Sequence, residues 1–215
     1  MRHTVLCLLA LFAAQSSFAM NFPAPKRAKE EWRDNINAAL AKKGSVDFDK
    51  KPLPEAIKAL KDTLGVNVVT DPANEPKATT LVTLKGKEML YSDALKQTLA
   101  KGELDYQIRD GVIFIFHPKK TEMEMLRPEE LPVARMLDGR EERLDFQPAK
   151  EPAGDLLKQL TEPTGIQMKM ADELKKVPIT LDLKNVGLGH AIRWLYRFAG
   201  GKIEVKTDGM TIVKR

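Results

Sequence analysis

Apolar and polar positions along the chain run through the same order of patterns twice. The first pass opens at Val46-Asp47-Phe48, where alternation suits a half-buried strand. Pro54 then stands in the first turn of a helical pattern that puts Ala56, Ile57, Leu60 and Leu64 on one face. Gly65 stops that helix, and Val66-Asn67-Val68 resumes the two-residue period of a strand. Residues 80–84 form a further strand, and Ala94, Leu95 and Leu99 mark a second helix ending near Gly102. Two alternating runs, 104–108 and 112–115, flank Asp110-Gly111, a pair that tolerates positive φ and so signals a tight hairpin.

The second pass repeats this order about one hundred residues later. It reads Leu144-Asp145-Phe146, then Pro152, then a helix face of Leu156, Leu157 and Leu160. Gly165 and the alternation Ile166-Gln167-Met168 follow, then a strand over 179–183. A second helix carries Ala191, Ile192, Leu195 and Tyr196 up to Gly200-Gly201, and a last hairpin turns at Asp208-Gly209. The expectation is an α+β protein of two tandem βαββαββ modules, residues 45–118 and 142–215, each with two helices packed between small β-sheets.

Three segments lie outside the repeat. Residues 4–14 are an apolar run too short for a stable membrane anchor, and Ser17-Phe18-Ala19 places small residues where a leader is cut. Residues 1–19 therefore read as a secretory signal peptide cleaved after Ala19, with an uncleaved anchor as the alternative, and the expected location is periplasmic or otherwise extracytoplasmic. Within 20–44, residues 26–43 form a helix with a stripe of Trp32, Ile36, Ala39 and Leu40. Its expected role is to cap the first module with Trp32 buried against it, and a partner-binding helix is the alternative. Residues 119–141 are too apolar for a free linker and are expected to pack on the modules as a connector that fixes their orientation.

Composition narrows the chemistry. With 43% hydrophobic and 30% charged residues the chain is globular rather than disordered. Its only cysteine, Cys7, lies in the leader. The mature protein therefore has no disulfide, thiolate nucleophile or cysteine-bound metal. His117 and His190 fall in different copies without metal-ligand spacing, and no Walker loop or dinucleotide fingerprint is present. Ser92 suits a helix N-cap rather than a nucleophile. No cofactor and no catalytic residue are expected. The net charge of +5 is spread through Lys/Glu mixtures and reads as a solvated surface. On the last helix, Arg193, Trp194 and Arg197 make a basic, aromatic face suited to an acidic partner or a glycan. The plainer alternative is that Trp194 packs its flank while the arginines are solvated.

The run VDFDKKPLPEAIKALKDTLGVNVVTDP, TTLVTLKG, YSDALKQTLAKGELDYQIRDGVIFI, with its looser second copy, resembles the short N-terminal domain shared by secretins and TonB-dependent receptors. The resemblance covers roughly two thirds of the chain and lies in hydrophobic pattern, not in reactive residues. It implies a periplasmic module that makes protein–protein contacts in secretion, pilus or signalling assemblies. The function expected is therefore a non-enzymatic protein-interaction module with a protein partner in the bacterial envelope. No nucleic acid is expected, and no membrane span after signal cleavage. Carbohydrate or peptidoglycan binding, or nucleic-acid binding, are the alternatives.

Overall fold

The structure is a computed structural model. It describes residues 31–119, 142–206 and 209–214. The leader and nearly all of the expected connector lie outside the described residues. Among the described residues the fold is α+β with six α-helices, and two successive βαββαββ units account for all but the first of the main elements.

In the first unit, β1 (Lys43–Pro52) pairs antiparallel with β3 (Leu81–Leu90) as a two-stranded ribbon. A three-stranded sheet places β5 (Val112–Phe116) between β2 (Val68–Thr70), parallel to it, and β4 (Asp105–Arg109), antiparallel. Helices α2 (Leu53–Leu64) and α3 (Tyr91–Ala100) share one core with ribbon and sheet, built from residues such as Phe48, Val82, Leu60, Leu99, Ile113 and Ile115. The first helix, α1 (Glu31–Leu40), adds Ile36, Ala39 and Leu40 to that core, while Trp32 is only half-buried. Gly65 ends α2 in the left-handed conformation, as its position implied.

The second unit repeats the plan with interruptions. Its ribbon is split: β6 (Arg143–Phe146) pairs with β10 (Leu183–Gly187), and β7 (Ala149–Pro152) with β9 (Pro178–Thr180). Pro148, which has no N–H to give a ladder, lies at the break. The single strand expected over 179–183 is therefore two. Helices α4 (Ala153–Thr161) and α6 (Leu188–Phe198) take the places of α2 and α3. The sheet is β8 (Met168–Met170), β12 (Gly209–Lys214) and β11 (Gly201–Lys206), with a short extra helix α5 (Asp172–Lys175).

The repeat extends to single hydrogen bonds. Lys50 and Lys150 both adopt positive φ at a bulge in the ribbon, and each N–H is held 3.2 Å from a threonine hydroxyl, Thr83 or Thr180. Glu88 and Asn185 adopt positive φ at a second matched site. The bond Leu53 N to Thr80 O recurs as Ala153 N to Val177 O, and Tyr91 N to Lys42 O recurs as Leu188 N to Glu142 O.

These matches correct the alignment read from sequence. Phe146 occupies the position of Val46, not of Phe48, and Asp145 is not the counterpart of Asp47. A slip of two residues keeps every side chain on its face, so alternation alone does not detect it. Pro152 corresponds to Pro52: both precede their helices, and only Pro54 sits in a first turn. Lys206 pairs with Gly209, so Gly209 opens β12 instead of lying in the turn; Thr207 and Asp208 lie outside the described residues. Ser92 is not an N-cap, because α3 begins one residue earlier and has no side-chain cap.

The matched bulges carry an expected outcome. Lys150→Gly, which relieves a positive φ, raises the free energy of unfolding by about 0.5–1 kcal/mol, and Thr180→Val, which removes the acceptor of the Lys150 N–H, lowers it by about 1 kcal/mol, both read from urea denaturation.

Candidate functional site at the junction of the two modules

The central strand of the first sheet decides how the modules meet. All five residues of β5 are buried. Ile113 and Ile115 face the first module's core, whereas Val112, Phe114 and Phe116, with Val69 beside them, belong to the apolar cluster of the second module. The outer face of the first sheet is thus packed on α6. Phe114 lies 5.3 Å from the Trp194 ring and stacks on Phe116 at 6.1 Å, centroid to centroid.

The Asp110-Gly111 turn leads into that strand, with φ of 47° and 78° as a tight hairpin requires. The turn also delivers a carboxylate to α6. Asp110 Oδ1 lies 3.1 Å from Arg193 Nε, and Oδ2 accepts a hydrogen bond from Arg197 Nη1. The Trp194 indole N–H donates to the Asp110 carbonyl at 3.1 Å, and the Arg197 guanidinium lies 5.2 Å over the Trp194 ring. Burial alone would raise the Asp110 carboxyl; Arg197 and Arg193 outweigh it and hold the pKa at about 2. A Cβ on Gly111 would stand 3.0 Å from His190 Nδ1, so this position needs glycine for space as well as for φ. The Trp32 ring meets His190 edge-on at 5.5 Å, which ties α1 to the same corner.

A second contact lies beside the first. Lys61, near the end of α2, pairs with the Asp182 carboxylate, whose other oxygen accepts from Gln147 Nε2 at 2.5 Å. Those hydrogen bonds, from Lys61 and then Gln147, hold Asp182 below the usual carboxylate range. The Asn67 carboxamide accepts from Lys184 N at 2.8 Å and donates to Lys184 O at 2.9 Å, gripping one backbone unit from both sides. A cleft of about 400 Å³ remains between the modules here, lined by Trp32, Asn35, Asp62, Arg143 and Asn185 among others.

No family model, no curated protein and no solved structure matches this chain. Its site is therefore read from geometry. The structure gathers Arg193, Trp194, Arg197 and Trp32 at one corner, but not on a free face. Arg193 is 3% exposed and Trp194 1%. Their partner is the first module's own Asp110, so neither a surface open to an acidic ligand nor a pair of solvated arginines describes them. Sequence reasoning took Asp110 only as a turn former and missed Lys61, Asn67 and Asp182. The legible signal was the unbroken apolar run 112–116, which marks a strand buried on both faces. His117 and His190 stay apart; His117 is buried, with Nδ1 accepting from Lys119 N at 3.2 Å and Nε2 3.5 Å from Glu103. Among the described residues no cluster of three His, Cys, Asp or Glu could hold a metal, and no helix is long and apolar enough to cross a membrane.

The junction carries three expected outcomes. The Asp110 carboxyl falls from 3.8 to about 2 on folding. Its contribution, about 2 kcal/mol, is therefore complete above pH 4 and lost as pH falls from about 4 to 2; urea midpoints against pH show this loss in the native chain and not in Asp110→Asn. Asp110→Asn itself removes the carboxylate beside the buried Arg193 and the partly buried Arg197 and costs about 3–5 kcal/mol at pH 7. Phe114→Ala removes the ring between the modules and lowers stability by about 3–5 kcal/mol; thermal melts followed by tryptophan fluorescence and by far-UV circular dichroism then separate, as the modules unfold independently.

Proposed function

We propose that the chain is a non-enzymatic protein-interaction unit that works outside the cytoplasm, on a protein partner in the bacterial envelope, as an accessory of a secretion, pilus or signalling assembly. The observation that supports this reading best is the junction. The most aromatic surfaces of both modules are used on each other, and a buried carboxylate–arginine cluster fixes their angle. A rigid two-module body of this kind presents its remaining sheet edges and grooves at constant spacing. That suits recognition of a protein surface at two points, because neither module loses orientational freedom on binding. The likeness to the short N-terminal domain of secretins and TonB-dependent receptors points the same way, and the leader over 1–19 supplies the route of export.

The test is cross-linking in intact cells of a bacterial host expressing the full chain with its leader. The expected result is a chain that begins at Met20 by mass spectrometry and a protein partner captured reproducibly and displaced by excess unlabelled chain. Co-sedimentation with cell-wall sacculi and no protein capture would replace this reading with a peptidoglycan binder.

A further inference from the structure

Two depressions among the described residues occupy the same place in the two modules. One is the junction cleft, bordered by Lys61, Asp62, Gly65, Val66 and Asn67. The other, of about 380 Å³, is bordered by Thr161, Glu162, Gly165, Ile166 and Gln167, each one hundred residues further on. In the first module one side of this groove is already engaged by the second module. The stretch 181–184 of the second module crosses it, with Asp182 on Lys61 and the Lys184 backbone in the grip of Asn67. In the second module, nothing among the described residues crosses the equivalent groove.

The means of recognition are kept there. Gln167 supplies a carboxamide where Asn67 stood, and it is exposed. Gly165 again ends the helix in the left-handed conformation and opens the floor. Ile166, Met168 and Met210 give that floor an apolar character. Thr161 cannot replace Lys61 as a cation; its hydroxyl is buried and donates to Leu157 O at 2.8 Å. One turn earlier, exposed Lys158 borders the same groove. Beside it β8 is the edge strand of its sheet.

We propose that the groove between α4 and β8 is a binding site for a short extended segment of a partner protein. The segment carries an acidic side chain that meets Lys158, two residues ahead of a backbone unit gripped by the Gln167 carboxamide. The template is the chain's own stretch 181–184 in the first module, so the occupant is an acidic peptide strand rather than a folded surface or a lipid. This deepens, and rests on, the reading of the chain as a protein-interaction unit.

The experiment uses the full mature chain and, as probe, a fluorescein-labelled peptide of its own residues 177–187, followed by fluorescence anisotropy. Saturable binding is expected. It weakens about tenfold with Gln167→Ala, and about three- to tenfold with Lys158→Glu or with Asn in place of the peptide's single Asp. Asn67→Ala leaves it within about twofold. Absence of saturable binding overturns the proposal, and so does binding indifferent to Gln167→Ala and Lys158→Glu. Loss of binding in Asn67→Ala alone also overturns it, because the peptide then enters the junction. Capture of an envelope partner that Gln167→Ala leaves undiminished removes the groove but keeps the interaction reading; failure of peptide and capture together removes both.

Discussion

Two-sided burial of β5 is the constraint on which the arrangement depends. A strand of a small sheet ordinarily buries one face and wets the other. Here Ile113 and Ile115 close the first core while Val112, Phe114 and Phe116 enter the second. Neither face can slip without exposing aromatic surface, so the register of the first hairpin and the seat of α6 are set together. The turn at one end of this strand then brings Asp110 to Arg193 and Arg197. Taking those charges out of water is costly, and the cluster holds only because the apolar contact already excludes solvent around it. Packing comes first in this order of causes, and the ion cluster adds a fixed angle.

Duplication explains why the modules resemble each other, and divergence at a few positions explains why they join. The ribbon of the first module pairs Asp47 with Lys85 across its strands, a surface contact at 3.5 Å. The matching positions of the second module hold Gln147 and Asp182, which hydrogen-bond in the same way. Inverting that charge frees one carboxylate oxygen for Lys61 of the first module. A local cross-strand pair has thereby become a contact between modules, at the point where the ribbon of the second module is split.

The sequence carried most of the fold and little of the site, for physical reasons visible in single residues. Helix stops at Gly65 and Gly165, the helix faces and the Asp110-Gly111 turn are local signals, and each stands where the pattern placed it. Pairing within the repeat was less legible. A strand period of two allowed Phe146 to be matched to Phe48 when it takes the place of Val46, and the Asp-Gly of the last hairpin invited a one-residue slip that the register of Lys206 with Gly209 removes. The junction was least legible, because it depends on long-range charge pairing. Arg193 and Arg197 look alike in sequence whether they are solvated or buried on Asp110, which lies more than eighty residues away.

The two modules differ in the outer faces they leave exposed. The backbone register that matches Met168–Met210 to Val68–Ile113 places Thr211 at the position of Phe114, Val213 at that of Phe116 and Lys169 at that of Val69. At the other end, the α3 positions that match Arg193, Trp194 and Arg197 of α6 are Lys96, Gln97 and Ala100, all exposed. Each module therefore has one face built for a neighbour of its own kind and one built for water, and the two adhesive faces meet. The polar outer faces disfavour head-to-tail growth of the chain on itself, since a third module would bury Lys169 and Lys96 without the Phe–Trp contact that stabilises the existing junction. What the second module retains of the adhesive pattern is the groove alone, with its carboxamide, and a groove without an aromatic face selects a strand over a domain.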